Sequence, residues 1–427
     1  MGAITRLIEA APRYAALLRS QYWKPEQLDS YRERHLAKTL RAAAKIPFYA
    51  ERLGAAPRVE DLKRLPVLKR ADFEPLNRSV RSLYPADTRY VHSRSSGTSG
   101  EAVEVLFDSS HQRGRNAART RYLRAHGWTP LERTAWFGGA LLVAGSDPNY
   151  MADIQLVRRF ASVGVKFIAN STPFREQVAI LTKLRPVSLY MYPSDLDGML
   201  RALEETRQGL PSLRRVMSGG EIVEDSLRDR VRRNLGLDLF DNYGSTEAFL
   251  AWQCPKGSYH INAEHVSIEI VDEAGREVGP GEMGRVLVTT LENYLMPLVR
   301  YEIGDYAIAT RGTCSCGRTL PLIGGVLGRE LNLFRTAQGG LIPTWPLVSR
   351  LRAIPELKFF QVVQKSVDRV LVRYVAGQPL APEREAVVQT RFREYLGDQV
   401  AVGFEHVSEI GRAPSGKFML TLSEVSR

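Results

Sequence analysis

The sequence predicts a large α/β domain of several subdomains, followed by a small α+β domain. Between residues 89 and 244, amphipathic helical patterns alternate with short apolar runs, which is typical of a parallel sheet covered by helices. From Val266 onward, short strand patterns are separated by Gly and Pro, which indicates a β-rich subdomain. The chain has 427 residues and is therefore longer than one hydrophobic core usually supports.

The individual elements follow from the period of the apolar residues. The first part of the chain is predicted to be helical, because Leu36, Leu40 and Ala43 repeat at helical spacing. The strands predicted for the α/β part and then for the β-rich part are 134–137, 188–192, 215–218, 237–240, 267–271 and 284–289. In the last part of the chain, strands are predicted at 358–363 and 369–375, with one helix at 383–395.

Composition limits the functional classes. The chain starts Met1-Gly2-Ala3-Ile4-Thr5-Arg6 without a long apolar run, and no stretch approaches the roughly 20 apolar residues of a membrane span. Only three cysteines occur, which is too few for a disulfide framework and suits a reducing compartment. We therefore expect a cytoplasmic protein with no membrane partner. The formal charge of +12 suits a polyanionic ligand, and nucleotide or coenzyme phosphates explain it as well as nucleic acid does.

A small-residue run is the candidate phosphate loop. Ser95 to Gly100 reads SSGTSG and follows the extended segment 89–92. Small residues leave backbone N–H groups and hydroxyls free to approach phosphate oxygens. The run is not a Walker A motif, because no Gly-Lys-Ser/Thr follows it. Taken alone, such a run is more often an ordinary flexible turn.

A second motif, Asp241 to Glu247, reads DNYGSTE and follows a predicted buried strand. It places an aromatic ring, an amide, a hydroxyl and a carboxylate where ligands bind in α/β sheets. A ring can stack on a purine, and a carboxylate can hold Mg²⁺ bound to phosphate. The alternative is a strand-turn-helix junction in which Ser245 or Thr246 caps a helix and Glu247 lies in its first turn.

Three more motifs follow in order: Ser218 to Glu221, Arg300 to Asp305, and Pro414 to Lys417. With Val67 to Phe73 and Met296 to Tyr301, this series resembles the adenylate-forming superfamily of acyl-CoA synthetases, peptide-synthetase adenylation domains and luciferases. Within it, the chain is most similar to phenylacetate-CoA ligases and capsule-associated ligases.

The resemblance implies a large adenylate-forming N-terminal domain, residues 1–328, and a small mobile C-terminal lid domain, residues 329–427. It implies ATP and Mg²⁺ as cofactors. The residues implied to grip the ATP phosphates are Ser96, Gly97, Thr98, Ser99 and Gly100. Those implied to line the adenine and acyl sites are Gly219, Gly220, Glu221, Asn242, Tyr243 and Gly244.

The remaining implied roles concern the reacting groups. Thr246 would contact the α-phosphate, and Glu247 would bind Mg²⁺. Asp305 would hydrogen-bond the ribose hydroxyls with the help of Arg329. Lys417 would bridge the carboxylate and the α-phosphate, because an ammonium neutralises the charge that develops between them.

The sequence departs from its relatives at two places. Many relatives have Lys directly after the phosphate loop, where this chain has Glu101, so phosphate contacts must use backbone groups, the metal or another cation. Near the expected hinge at 328–335, relatives often carry acidic residues after Gly-Arg, whereas Glu330-Leu331-Asn332 follows here. The hinge residue is therefore left open.

The three cysteines, Cys254, Cys314 and Cys316, lie in the later part of the large domain, with His260 nearby in sequence. Three thiolates and one imidazole make a closed tetrahedral zinc set without an open position for catalysis. Phenylacetate-CoA ligase relatives have similar Cys and His positions. We expect a structural zinc site, and the alternative is three ordinary cysteines with an ordinary histidine.

The acyl substrate is expected near the ends of the central strands. Candidate walls are Trp136, Phe137, Tyr190, Tyr192 and Tyr243, and aromatic walls would suit a flat aryl or arylacetic acid. The alternative for each ring is core packing.

The predicted function is ATP-dependent activation of a carboxylic acid as an acyl-adenylate, followed by acyl transfer to coenzyme A. The alternative within this class is transfer to an amine, a hydroxyl or a carrier protein. A zinc-dependent nucleic-acid-binding protein is the alternative from another class, but the ordered nucleotide motifs argue against a nucleic-acid partner. Homodimer formation is left open.

Overall fold

The computed structural model describes residues 3–54, 57–84, 91–94, 103–129, 131–138, 164–352, 354, 356–357, 359–411 and 418–425. Among the described residues, no helix is both long enough and apolar enough to cross a membrane. The predicted phosphate-loop residues, Ser96 to Gly100, lie outside the described residues, as do Glu101 and the predicted catalytic residue Lys417.

The predicted helical start is confirmed. The first helices are α1 (Ala3–Ser20), α2 (Pro25–Ala43), α3 (Pro47–Leu53) and α4 (Phe73–Arg81). Leu36, Leu40 and Ala43 of α2 are buried in the core of the large domain, as their spacing predicts. A hairpin of β1 (Val91–Arg94) and β2 (Glu104–Phe107) then leads into α5 (Ser109–Ala125). The Asp108 side chain caps α5 by accepting a hydrogen bond from the His111 N–H.

The α/β part is organised by an eight-stranded mixed sheet. Its parallel strands are β3 (Thr134–Gly138), β4 (Val165–Ala169), β5 (Ser188–Met191), β6 (Arg215–Gly219) and β7 (Leu239–Gly244). The helices between them are α6 (Phe174–Leu184), α7 (Pro193–Thr206) and α8 (Asp225–Leu235). Three antiparallel strands complete the sheet: β8 (Phe249–Gln253), β9 (Tyr259–Ile261) and β13 (Leu322–Ile323).

The predicted β-rich subdomain is a four-stranded antiparallel sheet. Its strands are β10 (Val266–Val271), β11 (Met283–Thr290), β12 (Tyr301–Ile308) and β14 (Gly325–Arg329). The predicted strands 267–271 and 284–289 lie inside β10 and β11. Gly328 and Arg329, at the predicted domain boundary, belong to β14 and pair with β12.

The C-terminal part has its own hydrophobic core and an α+β arrangement, as predicted. Its elements are β15 (Phe334–Arg335), β16 (Leu341–Ile342), α9 (Trp345–Arg352), β17 (Phe359–Ser366), β18 (Arg369–Val375), α10 (Pro382–Leu396), β19 (Ala401–His406) and β20 (Thr421–Ser423). The main sheet has the order β19-β18-β17-β20. We call this part the small domain and keep its boundary at 328/329 as a prediction.

Candidate active site

A cavity of about 510 Å³ opens at the carboxyl ends of β5, β6 and β7, where ligands bind in sheets of this kind. Residues of the small domain close its other side. The predicted site residues that line it are Gly220, Glu221, Asn242, Tyr243, Gly244, Thr246, Glu247, Asp305 and Arg329. The fold therefore brings most of the described residues that were predicted to bind the nucleotide to one place, although they are far apart in sequence, from Gly220 to Arg329.

Glu221 connects the large domain with the small one. Its carboxylate accepts hydrogen bonds from the backbone N–H of Ser194 at 2.9 Å and from the Ser194 hydroxyl at 3.1 Å. It also accepts one from the backbone N–H of Phe418 at 3.1 Å. Phe418 directly follows Lys417 in sequence. Phe418 itself lines the cavity.

Asn242 organises the floor of the site. Its Nδ2 donates to the Ser218 carbonyl at 2.6 Å and to the Tyr190 hydroxyl at 3.0 Å. The ring of Tyr190 stacks on Trp136 with 4.2 Å between centroids. A Cβ on Gly219 would lie 2.6 Å from both the Asn242 Nδ2 and the Tyr190 hydroxyl, so only glycine fits between these side chains.

Tyr243, Asp305 and Arg329 form a hydrogen-bonded set on one wall. The Tyr243 hydroxyl donates to Asp305 Oδ2 at 2.7 Å, and Arg329 Nε lies 3.1 Å from Asp305 Oδ1. Burial raises the pKa of Tyr243, and the charge of Asp305 raises it further, so the phenol stays a neutral donor. The Asp305 carboxylate also raises the pKa of Arg329. Tyr243 and Arg329 together hold the Asp305 carboxylate in a fixed orientation.

The turn that carries Thr246 and Glu247 does not start a helix, so the strand-turn-helix alternative is wrong. β8 begins at Phe249 and returns antiparallel to β7. The Ser245 hydroxyl caps this turn instead, because its Oγ accepts from the backbone N–H groups of Glu247 and Ala248, both at 3.2 Å. Glu247 is only 4% exposed.

Asp241 is a cavity residue that the sequence reasoning did not single out. The hydroxyl of Tyr259 donates to its Oδ2. Its buried Oδ1 has no hydrogen-bond partner within the described part of the chain. Burial raises the pKa of Asp241 to about 6. The available signal was its place directly after the predicted strand 237–240, one residue before Asn242.

The proposed acyl-site rings divide between two environments. Trp136 and Tyr190 stack beside Asn242, on one face of the sheet. Phe137 faces the opposite side and packs in the hydrophobic core with residues such as Leu189 and Leu196. Tyr192 is half-buried and immediately precedes α7, whose first residues line the cavity. The structure therefore does not bring Phe137 to the site.

Arg352 of α9 joins the small domain to the large one through ionic contacts that were not predicted. Its guanidinium contacts Asp197 at 2.6 Å and Glu224 at 2.9 Å. All three side chains are about one tenth exposed or less. Arg201 also contacts Asp197, at 3.2 Å. Arg352 and Glu224 are both lining residues of the cavity.

The cysteines and His260 form a compact cluster behind the cavity wall. The candidate ligand atoms of Cys254, His260, Cys314 and Cys316 all lie within 4.8 Å of one another. The Cys254 and Cys314 sulfurs are 3.6 Å apart, and Cys316 Sγ is 3.3 Å from His260 Nε2. Zn–S bonds of about 2.3 Å in a tetrahedron would separate two sulfurs by about 3.8 Å. Burial lowers the pKa of His260 to about 4, so its imidazole is neutral, as a metal ligand must be.

Two family models match the chain. Residues 160–295 match the AMP-binding enzyme family, and residues 334–424 match the CapK C-terminal domain. Two curated relatives are phenylacetate-coenzyme A ligases. The ligase of Thermus thermophilus is 26% identical over 79% of this chain and 79% of its own length. That of Escherichia coli is 25% identical over 72% of this chain and 74% of its own length.

Solved structures agree on the fold. A 2-hydroxyisobutyryl-CoA ligase in the postadenylation state superposes with a TM-score of 0.74 at 20% identity, covering 95% of this chain and 93% of its own. The amide bond synthetase McbA from Marinactinospora thermotolerans reaches a TM-score of 0.55 at 18% identity, covering 90% of this chain and 92% of its own. The chain is therefore similar to phenylacetate-coenzyme A ligases over most of its length, and two separate parts of it match the AMP-binding enzyme and CapK C-terminal models.

Proposed function

We propose that the protein activates a carboxylic acid with ATP to an acyl-adenylate and then transfers the acyl group to coenzyme A. The proposal depends on one observation. Tyr243, Thr246, Glu247, Asp305 and Arg329 line the same cavity, beside the small domain. The phenylacetate-coenzyme A ligase relatives support coenzyme A as the acceptor. The small number of cysteines suits a reducing compartment and therefore favours a cytoplasmic enzyme.

The nucleotide would occupy the wall formed by β6, β7 and β12. Asp305, held by Tyr243 and Arg329, is suited to accept hydrogen bonds from two ribose hydroxyls. The carboxylate of Asp241, which lines the cavity, is suited to accept one from the exocyclic amine of adenine. Adenine would lie beside Tyr243 and the segment Gly219 to Glu221. Ser96 to Gly100 would bind the phosphates, with Thr246 at the α-phosphate.

The residues present also fit a magnesium ion. Mg²⁺ is usually bound by one or two carboxylates together with substrate phosphates, and Glu247 offers a buried carboxylate on the cavity wall. The ion would screen the negative charges that meet when a carboxylate attacks the α-phosphate. Glu101 stands where relatives have a lysine, but the cavity lining supplies other cations. The arginines in the described lining of the cavity are Arg70, Arg228, Arg329 and Arg352.

The adenine contact of Asp241 predicts a pH dependence. Its folded pKa of about 6 lies above the ordinary aspartate value of 3.8, so the carboxylate becomes protonated as the pH falls through 6. Protonation removes the negative charge with which Asp241 attracts the amine of adenine. The affinity for adenosine should therefore fall by up to about tenfold for each pH unit below this pKa. Calorimetric titration with adenosine between pH 5 and 8 would measure this. In Asp241→Asn the slope should disappear, and a slope that persists would contradict the assignment.

The acyl group would bind near Trp136, Tyr190 and Tyr192, whose rings favour a flat aromatic or arylacetic acid. An ATP–pyrophosphate exchange screen with aryl, arylacetic and short aliphatic acids would test the activation step. No acid-dependent exchange with any acid would overturn the proposed function. Release of AMP with coenzyme A, compared with amines or a carrier protein, would then identify the acceptor. An amide-forming enzyme is the second candidate, because the McbA fold also covers most of the chain.

We also propose one structural Zn²⁺ on Cys254, His260, Cys314 and Cys316. The hairpin that carries Cys254 and His260 also carries Gln253, Gly257 and Tyr259 of the cavity wall, so the ion would stabilise that wall. Elemental analysis of protein purified without added zinc should find one zinc per chain. Cys316→Ser should lower both the zinc content and the melting temperature. Substoichiometric zinc together with an unchanged melting temperature would remove the site.

A further inference from the structure

Two buried side chains of α5 hold the backbone of the turn that carries Glu247. His111 Nε2 lies 2.9 Å from the Glu247 carbonyl oxygen. Arg115, one helical turn later, donates to the carbonyls of Thr246 at 3.3 Å and Ser245 at 3.4 Å. Three consecutive carbonyls of the turn are thus bound from one face of one helix.

The direction of these hydrogen bonds is determined by chemistry. A carbonyl can only accept, so His111 must carry its proton on Nε2. Burial lowers the pKa of His111 well below its ordinary value, and the ring is therefore neutral. Phe107 stacks on the His111 ring at 4.6 Å, and the His265 ring lies 4.4 Å away, so packing limits rotation of the imidazole. Arg115 lies over the ring of Phe107.

The same helix is directly attached to the phosphate-loop hairpin. Arg94 and Glu104 are paired across β1 and β2, and the segment between them contains Ser96 to Gly100. β2 ends at Phe107, only two residues before α5 begins. A displacement of α5 would therefore move the base of this hairpin together with the support of the Glu247 turn.

We propose that His111 and Arg115 are positioning residues for the metal-binding carboxylate of Glu247. This inference rests on the proposed function, since it takes the Mg²⁺ role of Glu247 from it. Neither side chain needs to touch the substrate. They hold the peptide groups on both sides of Thr246, so that the Glu247 side chain starts from a fixed backbone. Groups that orient metal ligands in this way typically change metal affinity or activity by about ten- to hundredfold.

The direct test measures metal binding without turnover. Mn²⁺ is titrated into the full-length protein with a saturating non-hydrolysable ATP analogue, and free Mn²⁺ is read by electron paramagnetic resonance. His111→Leu should weaken Mn²⁺ binding by about tenfold or more. His111→Gln should restore most of the affinity, because its amide can donate near the Nε2 position. Arg115→Met should also weaken binding, although loss of a nearby positive charge alone would strengthen it.

His126→Leu is the matched control. His126 Nε2 makes a similar contact with a carbonyl, at 2.8 Å, but its partner is Gln253. This variant should lose thermal stability without a change in Mn²⁺ affinity. Wild-type Mn²⁺ affinity in folded His111→Leu would overturn the proposal. If that variant does not fold, Arg115→Lys, which keeps the charge, decides by the same comparison. Absence of acid-dependent exchange in the wild type would instead reject the proposed function.

Discussion

Lys417→Ala should reduce acid-dependent ATP–pyrophosphate exchange by about 10² to 10³, in line with the loss of one preorganised group that stabilises developing charge. The acid carboxylate and the triphosphate repel each other, and an ammonium between them is most useful while their bond forms. Although Lys417 lies outside the described residues, the N–H of Phe418 donates to Glu221 on the cavity wall. Phe418, the next residue in sequence, lines the cavity.

The second half-reaction separates this role from a general loss of structure. Consumption of a synthetic acyl-adenylate in the presence of coenzyme A should change much less in Lys417→Ala. Lys365→Ala is a suitable control, because Lys365 belongs to the same domain and pairs with Glu424 at the surface. It should leave both half-reactions unchanged. Equal losses in both half-reactions of a folded Lys417 variant would contradict the bridging role, and no loss in either would make Lys417 an ordinary surface lysine.

Asp305→Ala should mainly weaken nucleotide binding. Each hydrogen bond from a ribose hydroxyl to this charged acceptor is worth about 1.5 to 3 kcal/mol, so the apparent ATP affinity should fall well over tenfold. The variant also leaves Tyr243 without its acceptor and Arg329 without its counter-ion. The KM for ATP in the exchange assay and the Kd for AMP would measure the effect.

Asp305→Asn refines this test. The amide keeps the size and one acceptor oxygen, so its loss of affinity should be smaller than that of alanine. Asp272→Ala, an acidic residue of the same subdomain that pairs with Arg276, should leave the ATP KM unchanged. A wild-type ATP KM in Asp305→Ala would mean that the nucleotide lies elsewhere. Melting curves of all three variants would show whether the fold is retained.

The spacing of apolar residues predicted those helices and strands in which buried positions recur regularly along the chain. The strands at 188–192 and 215–218 and the helix at 383–395 were found close to their predicted limits. The turn after Gly244 illustrates the opposite case. Ser245, Thr246 and Glu247 also suit the start of a helix, and only the pairing of Phe249 to Gln253 with β7 decides in favour of a strand.

The residues of the candidate site also fall into two groups, those that sequence patterns predict and those that only the fold reveals. Glu221, Asn242 and Asp305 were predicted from their motifs and the family resemblance, and all line the cavity. Asp241 was missed because its significance depends on its place in the cavity wall and on its burial, which no local pattern records. Arg352 was missed for a related reason. It lies 155 residues from Asp197 and 128 from Glu224 in sequence, so only the tertiary fold brings these charges together.

The ionic contact of Arg352 has a consequence for the alignment of the two domains. Buried ion pairs add little net free energy, but leaving one charge buried without its partner costs about 3 to 5 kcal/mol. A small domain shifted by a few ångströms would still cover Glu224 while withdrawing the guanidinium from it. Slightly shifted alignments of the two domains are therefore strongly disfavoured. Full separation avoids this cost, because it returns both charges to water. The ion pair therefore favours one alignment of the small domain on the large domain. It contributes little to the free energy with which the two domains associate.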